Sequence, residues 1–274
     1  AIVRNVSAND KTGEKDFQSE YQVKQEKGEG IFGFPSGARA GLCIHEIFER
    51  ADFTLKDIVS VDSVCGEILE KFRYDISEKV HLSAMFFNVV NSVLDESSGL
   101  KLSDIDENSR LSELEFNFPM EYFDSVKFRN IFSDAGEICG KIYNSLTVDN
   151  SETGGMMKGF IDLVFTHKGK YYIADWKSNH LGNSYSDYSQ EKITGEMERH
   201  NYFLQYYIYS VALNRYLKQR LGDAYSYEEH FGGIYYFFVR GMNPGAGSRT
   251  GIFRDRPFPD VIEKMDRFFA GENR

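Results

Sequence analysis

The sequence predicts a mixed α/β (α+β) domain, one sheet with helices packed on it, and three features carry that expectation. Residues 160–166 and 171–177 are apolar runs separated only by His-Lys-Gly-Lys, the pattern of a β-hairpin. Within residues 41–53, Ile44, Ile47, Phe48 and Ala51 recur at helical spacing and form one apolar stripe. An unbroken apolar run at 232–239 follows a helical stretch at 186–221, as a buried strand does.

Taken in order, residues 1–30 are polar and rich in Lys, Glu, Gln and Gly, and read as an arm or a severed linker. Residues 31–274 then form the domain. Helical patterns continue from 54 to 98, most clearly at 80–94. Residues 111–118 alternate and are stopped by Pro119, which predicts a strand. Helical or irregular chain runs on to about residue 147. The hairpin follows, then two helices within 186–221, the strand at 232–239, and a last helix at 259–269. The core order is αβββαβ with extra helices.

Composition narrows the function classes. Of 274 residues, 41% are hydrophobic, with 23 Phe and 17 Tyr, enough for one sizeable core. No apolar run is long enough to span a bilayer and no signal-peptide pattern opens the chain, so a cytoplasmic protein is expected. Cys43, Cys65 and Cys139 are far apart, which excludes a zinc knuckle or a four-thiolate cluster. The net charge of -10 predicts weak DNA affinity for the chain alone. A basic partner or neighbouring domain would have to supply phosphate contacts. No GxxxxGK[ST] loop is present, so the chain carries no motor of its own.

The hairpin holds the chemistry. A two-residue Lys168-Gly169 loop of type I′ sets His167 against Lys170 and, counting back, Asp162 against Asp175. Lys177, two residues beyond Asp175, shares its face. Directly opposed like charges destabilise a strand pair, so a divalent cation between the carboxylates is the simplest compensation. The plain alternative is a solvated hairpin face with an Asp–Lys pair. His45 sits beside its helix's apolar stripe, and Gly41, one turn earlier, leaves room over the imidazole. Gln205 and Tyr209 share one helix face at i, i+4. By pattern alone, packing is a more common use of these three residues than ligation or catalysis.

The run from Gly159 through Asp162, the Asp175-Trp-Lys-Ser-Asn segment, Gln205 with Tyr209, and the His230-Phe-Gly-Gly strand resemble, in order, the motifs of PD-(D/E)XK nucleases. The similarity is greatest to the RecB-type C-terminal nuclease domain of exodeoxyribonuclease V, and covers roughly residues 31–270. Trp176 departs from the family's usual Tyr. The resemblance implies a restriction-endonuclease-like fold and a Mg²⁺-dependent (or Mn²⁺-dependent) exo- or endonuclease that hydrolyses DNA phosphodiesters in double-strand break repair. It implies metal ligation by His45, Asp162, Asp175 and the Trp176 carbonyl, with Lys177 catalytic beside Gln205 and Tyr209. Glu115 is expected behind the ligands or, equally, as an exposed strand residue, and Glu49 is a weaker candidate. Expected partners are DNA, single-stranded or unwound, the helicase portion of RecB, and RecC- and RecD-like subunits. The rival from another class is an inactive nuclease fold used as a scaffold for protein or DNA contacts. Such domains typically lose the acids or the lysine, and this chain keeps all three.

Overall fold

The Lys168-Gly169 turn fixes the register of the sheet. Both residues have positive φ, 49° and 75°, as a type I′ turn requires, and the strands on either side pair as the loop length demands. In the computed structural model, which describes residues 28–120, 123–133, 135–147 and 155–272, strand β2 (Gly155–His167) pairs antiparallel with β3 (Lys170–Lys177) from His167↔Lys170 back to Leu163↔Ala174. Strand β1 (Arg110–Met120) lies antiparallel on the other side of β2. Strand β4 (Phe231–Phe238) pairs parallel with β3, and β5 (Ile252–Asp255) antiparallel with β4. The sheet order is β1-β2-β3-β4-β5.

Helices cover both faces. Helices α1 (Ala38–Arg50), α2 (Ile58–Phe72) and α3 (Lys79–Asn91) pack their apolar stripes on one face against Phe165, Tyr172, Trp176 and Phe237. Four shorter helices lie on or beside the sheet: α4 (Ser125–Asn130), α5 (Glu137–Ser145), α6 (Gln190–Arg199) and α8 (Tyr227–His230). On the second face the long α7 (Tyr202–Leu221), with α9 (Pro259–Phe269), buries Tyr206, Ile208, Val211 and Met265 against Ile161, Ile173, Ile234 and Tyr236. Along the chain the order is α1–α3, β1, α4 and α5, β2 and β3, α6–α8, β4, β5 and α9, so two helices separate β1 from the hairpin.

Several boundaries differ from expectation. The first helix begins at Ala38, not 41. Strand β1 does not stop at Pro119, which pairs with Met156; β1 is an edge strand, where a missing N–H costs no ladder bond. Strand β2 accordingly starts at Gly155. The short β5 was not anticipated, because four residues carry too little periodicity. The anticipated arm, residues 1–30, lies outside the described residues up to 27, and Gly30 opens a 3-10 turn (Gly30–Gly33) leading towards α1. No helix among the described residues is long and apolar enough to cross a membrane.

The turn supplies a stability test. Lys168 holds a left-handed conformation that favours Asn or Gly over Lys. Lys168→Asn should therefore stabilise the fold by about 0.5 kcal/mol, read as a higher urea midpoint with an unchanged slope.

Candidate active site

The hairpin forks where its carboxylates stand. The β2–β3 ladder ends at Leu163↔Ala174; before that point β2 follows β1, and after it β3 follows β4. Asp162 and Asp175 are the next residues on each strand, facing the gap. The β1–β2 ladder also skips one position, Glu113 opposite Asp162, and Glu113 has a φ of 54°. Across this point the side-chain alternation of β2 slips by one. Ile161 faces α7, whereas Leu163 faces the α1 side. Asp162 sits in the slip, within reach of both layers.

From the α1 side comes His45, whose Nδ1 lies 3.5 Å from Asp162 Oδ2. The same oxygen accepts the Trp176 backbone N–H at 2.8 Å. The Trp176 indole stacks on Phe48 of α1, 4.2 Å between centroids, with Phe53 at its edge, so the large ring ties α1 to the strand that bears Asp175 and Lys177. Gly41 completes the crossing, since a Cβ there would stand 3.1 Å from Ser178 Oγ.

On the α7 side Asp175 is fully buried. Its Oδ2 lies 2.7 Å from Lys177 Nζ, and Oδ1 meets no hydrogen-bond donor among the described residues. Lys177 Nζ also donates to Gln205 Oε1 at 3.2 Å and rests 3.8 Å above the Tyr202 ring. Gln205 is itself oriented. Its oxygen accepts from Tyr236 Oη at 2.9 Å and its nitrogen donates to Tyr209 Oη at 2.9 Å. The sequence-predicted pair therefore holds the lysine, and Tyr236 and Tyr202 join it.

Burial governs the electrostatics. It works first to lower the Lys177 ammonium, but the Asp175 charge, aided by Tyr202, outweighs it and holds the group above its ordinary value. Burial, followed by repulsion from Asp175, pushes Asp162 well above the usual carboxylate range, against the pull of Lys177 and the Trp176 N–H. Burial lowers His45, opposed by Asp175. Lys177 is thus a fixed cation, and Asp162 is a carboxyl that an added positive charge would ionise.

His45, Asp162 and Lys177 floor a cleft of about 460 Å³ between α1, the end of α2 and the fork, with Leu42, Phe72 and Phe160 among its walls and Asp175 buried out of it. Glu49 lines it, and so does Glu113, whose charge acts on both His45 and Asp162. Glu115 does not line it. Its side chain is half exposed and paired with Lys158 at 2.7 Å, a correction to the position expected behind the ligands. Regular alternation puts residues 113 and 115 on one face, and the left-handed kink at Glu113 breaks it. Among the described residues no three His, Cys, Asp or Glu side chains form a ready metal-ligating group. His45 is drawn to Asp162, while Asp175 is turned to Lys177.

Asn179, at the cleft rim, donates to the buried carboxylate of Glu196 at 2.9 Å. His200 at 3.0 Å and Arg199 hold the same group. Burial would raise Glu196, but these hydrogen bonds override it and bring it to about 2. A depressed carboxylate stabilises the fold above its unfolded value and loses that contribution as pH falls. Glu196→Gln should cost about 2 kcal/mol near pH 6. The gap to the parent in urea unfolding should begin to close below about pH 4.5 and continue closing towards pH 2.

The chain is similar to bacterial proteins named RecBCD enzyme subunit RecB. It is 35% identical to that of Escherichia coli K12 over 244 residues, 87% of this chain, and 31% identical to that of Haemophilus influenzae over 262 residues, 93% of this chain. It is 36% identical to that of Buchnera aphidicola from Acyrthosiphon pisum over 235 residues, 85% of this chain. The chain spans about a fifth of the length of these relatives, so it corresponds to a domain-sized portion of RecB. No protein-family model matches it.

Proposed function

We propose that this domain is a PD-(D/E)XK nuclease module that hydrolyses DNA phosphodiesters with Mg²⁺ or Mn²⁺. The observation that carries the proposal is the convergence of Asp162, Lys177 and His45 on one cleft floor, with Asp175 buried behind it against Lys177, in a chain similar to RecB. The chemistry of these groups fits a hard divalent cation. Two buried carboxylates repel, one carboxylate oxygen meets no donor, and an imidazole stands beside the other acid. Asp162, Asp175, His45 and the Trp176 carbonyl are the residues to hold it. When bound, such a cation withdraws charge from a phosphate and makes water more acidic.

The chain's own groups divide the rest of the work. Lys177 stays protonated, so it serves as donor and fixed positive charge for the phosphate and not as a base. Gln205 and the Tyr202 ring keep its ammonium in place, which lowers the reorganisation needed as charge builds on the phosphate. Water adds to phosphorus and one ester oxygen leaves. Leu42, Phe72 and Phe160 give the strand apolar walls. Given the net charge of -10, delivery of DNA falls to a basic neighbour. A RecBCD-type assembly, with a RecB helicase portion and RecC- and RecD-like subunits, supplies one.

Two measurements test this. Millimolar Mg²⁺ or Mn²⁺ should raise the melting temperature, by about 2.7 kcal/mol of stabilisation at a hundredfold excess over Kd, and Asp162→Ala or Asp175→Ala should abolish the rise. Nucleotide release from single-stranded DNA should require the metal. Lys177→Ala should keep the metal-induced rise and lose about 10²–10³-fold in cleavage rate. Metal binding without cleavage by the parent domain, free or joined to its neighbours, would favour the scaffold alternative. Cleavage by Lys177→Ala at the parent rate would remove the lysine from the mechanism.

A further inference from the structure

Arg240, just beyond β4, is among the largest fully buried side chains of the described residues and is 1% exposed. Among the described residues its hydrogen bonds meet no carboxylate. Its Nε donates to the Ser178 carbonyl at 2.9 Å, Nη1 to the carbonyls of Ile31 at 2.7 Å and Phe34 at 2.9 Å, and Nη2 to that of Pro35 at 2.6 Å. Burying a guanidinium is costly, and here four main-chain carbonyls compensate it, with the Phe34 ring 5.8 Å away. Those carbonyls come from two segments. Residues 31–35 lead into α1, which carries His45, and Ser178 directly follows Lys177. A second tie, His180 Nε2 to the Phe32 carbonyl at 3.1 Å, joins the same two segments.

We infer that Arg240 is a positioning residue that locks the entry of α1 onto the end of β3 and thereby sets His45 against Asp162. The planar fork reaches four carbonyls at once, which the three donors of a lysine on a single atom do not reproduce. Loss of the brace lets α1 drift at the Gly41–Ser178 crossing. The His45 arm of the cleft floor then opens, while the Asp175–Lys177 pair, held from α7, stays. Groups that orient metal ligands from behind typically contribute ten- to a hundredfold to metal affinity. The metal half of this inference rests on the nuclease reading above; the positional half does not.

The test uses the whole chain. In a G41C/S178C background, mild oxidation should join α1 to the strand end, and R240K should slow that crosslink by about tenfold while retaining a cooperative melt. In the parent cysteine background, R240K should weaken Mn²⁺ binding, measured by calorimetry, by about tenfold. H45A/R240K should bind no worse than H45A, since both losses are one loss. A crosslink at the parent rate, or losses that multiply in the double variant, would overturn the inference. R240Q repeats both measurements if R240K does not melt cooperatively. Failure of both variants to fold assigns Arg240 to the fold alone and overturns it too. If the parent chain binds no Mn²⁺, the nuclease reading fails separately and the crosslink rate alone decides the role of Arg240.

Discussion

Everything in this domain is arranged around a buried charge cluster at the point where two strands part. Ionised groups out of water are tolerated only when each is paired or hydrogen-bonded. Here Asp175 has Lys177, Lys177 has Gln205 and a ring face, and Asp162 has the Trp176 N–H and His45. The partners come from different layers, so neither helical layer can shift without leaving a buried charge or a buried carboxyl uncovered. The fork explains why the cluster sits where it does. Inside a continuous ladder the two acids would be pressed together, whereas at its end the main chain is free to contribute an N–H to one of them.

Much of this was legible in the sequence because it depends on a local rule. A two-residue loop with Gly in second place leaves one register, which carries the ladder to Leu163↔Ala174, one position short of the two acids. His45 was legible only through its helical spacing beside Gly41 and the resemblance to a nuclease family. Its approach to Asp162 depends on how a helix crosses a sheet, which no local pattern encodes. Gln205 was visible as half of an i, i+4 pair, but its partner Tyr236 lies on a strand 31 residues away.

What escaped the sequence escaped for physical reasons. Glu113 and Glu115 look equivalent in an alternating strand, and only the left-handed backbone at Glu113 sends one to the cleft and the other to Lys158. Pro119 reads as a strand end unless the strand is known to lie at the sheet edge. Arg240 follows an apolar strand, where a charged residue ordinarily marks the return to solvent. Its burial depends on carbonyls from more than 200 positions earlier.

Trp176 is the only tryptophan in the chain. Its indole is sandwiched into the joint between α1 and β3, and its own amide reaches the Asp162 carboxylate. Indole emission responds to the polarity and packing of its surroundings, so the domain's intrinsic fluorescence originates at a single place, against the cleft floor. Loosening of α1, or a change of charge at Asp162, has a spectroscopic signature without any attached dye. The chain's forty phenylalanines and tyrosines contribute only a weaker background at shorter wavelengths. Trp176 thus gives the domain an optical gauge of its own joint.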